Sequence, residues 1–198
     1  MSMGNGYRVV NLFTEDHAAL TGAREVIIAE ALKPELSWNC NINYSGIIKH
    51  SGGFINIDVS GFYTYFTNKI IGDFLTDPGK IIYDNLQGYA VSKGITINTD
   101  GSFTNGIKVN AGLTIMDVYQ INRDSDGKNV KQPQLFAPAV SGTFAVSYGL
   151  AKQKVNIDVT GRFTGPMHLP VVPNDFRKEK SPPYNIINVQ VVKQFADN

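Results

Sequence analysis

Few residues in this chain have types and spacing that suggest chemistry, and each has a plainer reading. Asn122-Arg123-Asp124-Ser125-Asp126-Gly127 puts side-chain oxygens at the first, third and fifth positions and glycine at the sixth. That is the opening half of a calcium loop, where the chain must turn sharply around the ion. The twelfth position is Pro133, where a bidentate glutamate belongs, so the stretch reads as a polar hairpin loop. His17, His50 and His168 lie far apart, without metal-ligand spacing or a carboxylate partner in a motif. Each reads as a loop or turn histidine. Cys40 has no nearby His or Cys to make it a nucleophile or ligand, and as the single cysteine it excludes an internal disulfide. Asp58 and Asp158 have nothing beside them to tune a carboxyl group. They read as hydrogen-bonding residues on a polar strand face. The chain shows no phosphate loop, paired catalytic acids or triad, so the sequence assigns no catalytic, cofactor-binding or metal residue and implies no cofactor. Arg24, Asp73, Arg123, Asp126, His168 and Arg177 are loop candidates for ligand contact, none better than its neighbours.

The elements that would position these residues are more informative. Ile55 to Thr64 reads I-N-I-D-V-S-G-F-Y-T, and Val155 to Thr164 reads V-N-I-D-V-T-G-R-F-T, an offset of 100 positions. Ile55, Ile57, Val59 and Tyr63 fall on one face of a strand; Asn56, Asp58, Ser60 and Thr64 fall on the other. The likeness is either internal ancestry or a shared β vocabulary, and both predict long two-faced strands.

The same period recurs along the chain. Gly6 to Phe13 reads as a short strand, and Thr14 to Leu20 could hold one helical turn. In Arg24 to Leu32, Val26, Ile27 and Ile28 favour an extended piece and the Ala and Glu residues favour helix; the extended reading is preferred, and Pro34 breaks it. Further strands are expected at Ser37–Ile48, Ile55–Asn68, Leu86–Asn98, Gly106–Tyr119, Ala139–Leu150, at the Val155 repeat and at Tyr184–Phe195. Tight turns are expected at Lys49 to Gly53, Thr99 to Ser102 and Ala151 to Gln153. Long connections fall between Asn68 and Leu86, from Ile121 to Ala137 and from Pro166 to Pro183.

The fold class is therefore all-β: an antiparallel, up-and-down meander of about eight strands. All neighbouring strands are expected to be antiparallel and sequential, because every second connection is too short for a crossover. At 198 residues the chain is one domain or part of one. Its net charge of +1 implies no polyanionic partner, hence no nucleic acid. It has no signal-peptide pattern and no apolar run long enough for a transmembrane helix. A membrane β-barrel shows no such run.

Two features favour that barrel. Long and short connections alternate, as in outer-membrane barrels with short periplasmic turns and long outer loops. The polar faces carry Asn, Ser, Thr, Gly and Gln rather than the Lys and Glu of a solvent-washed surface. That suits a lumen, with the Ile and Val faces towards lipid. Tyr44, Tyr63, Tyr65, Tyr148, Phe163 and Phe195 near strand ends suit aromatic girdles. Lys93 on the presumed lipid face is a departure.

The chain resembles the barrel of TonB-dependent outer-membrane receptors. The resemblance rests on Gly6-Tyr7-Arg8 leading to Asn11-Leu12-Phe13, and on Leu32-Lys33-Pro34-Glu35 before the Asn-rich strand. Ile57 to Tyr65 with Asn68-Lys69-Ile70, Asn85 with the Gly94 strand, and Tyr184-Asn185-Ile186-Ile187 extend it over nearly all 198 residues. It implies the later part of one barrel domain, with the plug, the TonB-contacting segment and the last strands outside this sequence. It also implies an outer-membrane location and active uptake of a ferric siderophore or cobalamin-like nutrient. The expected partners are the bilayer, the TonB complex through the missing part, and a small molecule at the outer loops. The resemblance implies no enzyme. Such barrels close with about 22 strands, so eight would form an open arc unable to transport alone. The alternatives are a soluble lipocalin-like barrel, with its apolar faces inward, and an adhesive β module.

Overall fold

A chain with period-two alternation can bury only one face per strand, and the computed structural model is built from that constraint. It describes residues 1–9, 25–28, 32–73, 77, 79–123, 127–171 and 176–195. The expected helical turn at Thr14–Leu20, together with Asn11–Phe13, Arg24 and Asp124–Asp126, lies outside the described residues.

Among the described residues, eight strands form the wall. They are β1 (Ser2–Arg8), β3 (Glu35–His50), β4 (Gly53–Thr67), β7 (Gly88–Phe103), β8 (Ile107–Arg123), β10 (Val140–Leu150), β11 (Val155–Thr164) and β12 (Tyr184–Lys193). They pair in that order, and every pair is antiparallel. The wall is a meander, as the alternation predicts. Two short pieces continue from it at the long-connection end. β9 (Asn129–Pro133) folds back on the outer part of β8, and β2 (Glu25–Ile28), β6 (Lys80–Asn85) and β5 (Ile70–Asp73) make a small second sheet.

Three expectations are corrected. β2 and β6 pair in parallel, Glu25 opposite Lys80 through Ile28 opposite Tyr83. Two wall strands lie between them in sequence, so no short turn forces them antiparallel. The first strand starts at Ser2 rather than Gly6, because Ser2 to Arg8 finds partners in order along Asn41 to Glu35. Thr99 to Ser102 is strand, not turn. These residues pair with β4 on one side and β8 on the other, and Asp100 accepts a short hydrogen bond from Asn110 Nδ2. The turn falls at Thr104 to Gly106. There the Ile107 N–H donates to Asn105 Oδ1 at 3.2 Å and Gly106 takes φ +86°. A Cβ at Gly106 would meet the Gly149 carbonyl oxygen at 2.5 Å, so glycine is needed for both conformation and space.

The faces follow the register. Across one row, Tyr44, Val59, Ile97, Leu113 and Gly142 lie side by side; across the next residue, Asn43, Ser60, Thr96 and Thr114 do. The polar row bonds to itself. Asn43 Nδ2 donates to Ser60 Oγ at 2.7 Å, Thr64 Oγ1 to Asn39 Oδ1 at 2.8 Å, and the Thr96 and Thr114 hydroxyls lie 3.1 Å apart. The repeated stretches repeat a contact as well. Asn56 Nδ2 donates to Asp58 Oδ2, and Asn156 Nδ2 to Asp158 Oδ2, each at 2.8 Å.

Exposure runs opposite to that of a soluble sheet. In the middle of β7 and β8 the apolar residues are the exposed ones, Ile95 at 53 % and Ile115 at 54 %, while Gly94, Thr96, Gly112 and Thr114 are half-buried. Among the described residues the buried hydrophobic ones are Ile70, Leu86, Ala90 and Val91, all towards the long-connection end. The lipocalin-like alternative needs the Ile and Val face enclosed. Here it is open, and a single layer can be stable only if lipid covers that face.

The apolar band from Ile55 to Tyr63 is about nine residues. At ~3.4 Å per residue and a ~40° tilt it stands ~23 Å tall, close to the ~25 Å of a transmembrane barrel. From its outer end upwards a belt of Trp38, Tyr63, Tyr65, Tyr89 and Tyr119 follows from the pairing, and the Tyr65 and Tyr89 rings are 5.2 Å apart. Cys40 lies on the apolar face, opposite Met3 on one side and Tyr63 on the other. His50 lies at the first tight turn, where its Nδ1 accepts from the Gly52 N–H at 3.0 Å.

Candidate site at the outer rim

Above the belt, the long connections fold onto one another. Asn85 ties two of them together. Its Nδ2 donates to the carbonyls of Lys33 (3.0 Å) and Asn68 (2.8 Å), and its Oδ1 accepts from the Lys33 N–H at 2.6 Å. Asn68 needs that support, since it sits at φ +52°. Beside it, the Ile70 N–H donates to Glu35 Oε2 at 3.2 Å, and Arg8 reaches the same carboxylate at 3.6 Å. Lys69 Nζ donates to Gln134 Oε1 at 2.5 Å, joining a third connection. Burial lowers the Lys69 ammonium below the ordinary lysine value; Glu35 opposes that and Arg8 adds to it.

Backbone bonds place His168. Its carbonyl accepts from the Phe136 N–H at 2.9 Å, and it bridges Leu135 on one side and Lys180 on the other. The Leu169 N–H donates to the Glu179 carbonyl and the Ser181 N–H to the Met167 carbonyl, each at 2.9 Å. This closes a rim cavity of about 520 Å³. It draws on β5 (Ile71, Gly72, Asp73), the β8–β9 hairpin, Leu135, and the connection from His168 to Glu179. Gln120 and Asn122 sit on the polar, lumen-side register of β8, so the cavity lies against the lumen side of that strand.

Its lining combines Asp73, Glu179 and His168 with the amides of Gln120, Asn122 and Gln132 and the apolar surface of Ile71, Leu135, Leu169, Pro170 and Val171. Gln120 Nε2 donates to Gln132 Oε1 at 3.1 Å. Asn122 Oδ1 is buried without a hydrogen-bond partner among the described residues, so it is an open acceptor beside the cavity. A mainly apolar concavity with a few placed polar groups is the usual form of a small-molecule site, and its volume lies in that range. Among the described residues no three His, Cys, Asp or Glu converge as a metal-binding group.

Of the six loop candidates, the structure brings Asp73 and His168 to this cavity. Arg123 ends β8 on the apolar-face register, Arg177 lies in the connection before β12, and Arg24 and Asp126 are outside the described residues. Glu179 and the three amides are not among those candidates. Alternation along β8 could have found Gln120 and Asn122; nothing local marks Glu179.

With this geometry, comparison with known proteins is decisive. The family "TonB dependent receptor-like, beta-barrel" matches residues 2–198. The chain belongs to that family. Its strands are accordingly part of an outer-membrane β-barrel. No curated protein sequence matches the chain. Among solved structures, the copper transporter OprC overlays 99 % of it with TM-score 0.67 at 14 % identity. The ferric-catecholate import receptor Fiu of E. coli K12 overlays 84 % with TM-score 0.62 at 18 % identity. The pyoverdine outer-membrane receptor FpvA of Pseudomonas aeruginosa PAO1 overlays 84 % with TM-score 0.61 at 21 % identity. At these identities the likeness is one of fold. The chain spans 29 %, 22 % and 24 % of those three proteins.

Proposed function

We propose that these strands are part of the barrel wall of an outer-membrane receptor that takes up a scarce nutrient with energy passed by TonB, and that the rim cavity belongs to its ligand-binding mouth. The observation that carries this reading is the lumen-side cavity assembled from separate long connections, with an unpartnered Asn122 acceptor beside it. Loops held on a rigid wall are where such barrels would place ligand contacts. The favoured ligand is a metal chelate of siderophore type. Its organic shell suits amides, carboxylates and apolar surface better than a bare ion does. The receptors Fiu and FpvA, named for ferric-catecholate and pyoverdine, support that choice of ligand class. Chemistry on the ligand is no part of the proposal. In this reading the plug and the TonB-gripping segment belong to other parts of the whole receptor.

The test uses that whole receptor in a strain lacking it, with binding and uptake of a labelled ferric chelate panel. Asn122→Ala with Gln132→Ala should weaken binding at least about tenfold while the barrel still assembles. Unchanged affinity for every chelate that the receptor binds would remove the cavity from the mouth.

A further inference from the structure

The outward face of the wall carries few charges, and most of them are gathered in one place. Lys93 and Asp117 lie opposite one another on β7 and β8, and Tyr63 stands beside them on β4. Four residues further out along β8, Lys131 of β9 pairs with Ile121 on the same face. Asp117 Oδ2 is 3.9 Å from Lys93 Nζ and 3.5 Å from Lys131 Nζ. The Tyr119 ring lies 5.8 Å from the first ammonium and 3.9 Å from the second. One carboxylate thus serves two ammonium groups, and each of these side chains is about half exposed. One positive charge is left over, with ammonium N–H groups free to donate outwards.

We propose that this cluster holds the phosphate of an anionic lipid in the leaflet beside the long connections. The aromatic belt of Tyr63, Tyr65, Tyr89 and Tyr119 marks the headgroup level. Lysines there can keep their stems along the apolar face and turn their ammonium groups to the interface. Two ammonium groups around a shared carboxylate form a fork for phosphate oxygens, and charge-assisted bonds to phosphate are about twice as strong as neutral ones. A nutrient in the lumen reaches the opposite face of the sheet. A ligand at the Lys93 cluster must come from the membrane, which favours a lipid over free phosphate. The inference rests on the assignment of faces, not on the rim cavity.

The test places the whole receptor in nanodiscs of phosphatidylcholine, alone or mixed with diphosphorylated lipid A or with lipid A stripped of its phosphates. Amine acylation is then followed residue by residue by mass spectrometry. With the diphosphorylated lipid, Lys93 and Lys131 should react about fivefold more slowly, and lumen-facing Lys108 should not change. Absence of slowing, equal slowing with the phosphate-free lipid, or slowing by inorganic phosphate alone in detergent would each overturn the proposal. In native mass spectra, the Lys93→Gln, Lys131→Gln double variant should keep about fivefold less of the phosphorylated lipid. Undiminished retention by a correctly assembled barrel would also overturn it.

Discussion

The assignment of faces can be tested with two neighbouring residues. Val59 lies on the apolar row between Tyr44 and Ile97, and Ser60 lies on the polar row between Asn43 and Thr96. Val59 is near the middle of the band from Ile55 to Tyr63. Val59→Lys therefore points an ammonium at the centre of the hydrocarbon, at a cost of about 2–4 kcal/mol in a lipid-facing barrel position. That lowers the folding equilibrium constant by about 30- to 900-fold. Ser60→Lys, one residue on, points the same group into a polar lumen. It loses the 2.7 Å bond from Asn43 Nδ2, worth about 1 kcal/mol net, and Asn43 can turn to water or to Thr96. Both variants should be made in the whole receptor and folded into vesicles at graded urea. Assembly is read from the heat-dependent shift in gel mobility. The expected gap between the two is about 1–3 kcal/mol, with Val59→Lys the weaker. If Ser60→Lys were the more damaging, the apolar face would be turned inwards and the lipid-facing wall would be wrong.

Other perturbations follow from single contacts. Asp158 accepts from Ser147 Oγ at 2.5 Å and from Asn156 at 2.8 Å, whereas Asp58 has the Asn56 contact. Asp158→Asn should therefore destabilise more than Asp58→Asn, by about 1 kcal/mol in the same urea series. Gly106→Ala forces a Cβ into φ +86° and against the Gly149 carbonyl. It should cost at least about 1–2 kcal/mol, seen as slower closure of the β7–β8 hairpin in kinetic folding into vesicles. Asn85→Ala removes two hydrogen bonds to Lys33 that join two rim connections and a third, to Asn68, inside its own connection. Hydrogen exchange at Lys33 and Ile70 should quicken while the middle of β7 stays protected. Equal quickening throughout would mean that the rim and wall open together.

The wall was legible because its signal repeats: each strand carries its own apolar alternation, and a register slip would expose the wrong face. The turn before β8 shows the limit of that reading. Asp100-Gly101 and Asn105-Gly106 are equally good turn dipeptides by composition. What separates them is pairing. Asp100 has Asn56 on one side and Asn110 on the other, and Asn56 comes from a distant part of the chain. The rim was less legible for the same reason. β2, β5 and β6 are too short to show a period, and the parallel pairing of Glu25 with Lys80 joins residues separated by two wall strands. His168 carries no motif; the Phe136 N–H on its carbonyl, and the bonds from Leu169 to Glu179 and from Ser181 to Met167 on either side of it, bring it to the cavity. Lys93 looked like a fault in the pattern until β9 supplied Lys131 and showed that both serve Asp117.

The edges of the sheet decide what these strands can do on their own. The pairing path begins at β1 and ends at β12, and these two do not pair with each other. Every residue of both strands is exposed, so each leaves a row of backbone donors and acceptors at the level of the hydrocarbon. Unpaired backbone groups there cost several kcal/mol each, which is why spanning sheets close. Eight strands of about 22 would cover roughly a third of a receptor-sized circumference. Curling tighter would bring β1 to β12, but it would crowd Phe54, Phe62 and Phe66, which share the lumen-side register of β4 with Asp58 and Ser60. Large residues on the concave face fit a wide barrel better than a narrow one, since a barrel of about eight strands has room only for side chains that interlock. The size of these side chains therefore favours a wide sheet over a tight barrel of about eight strands.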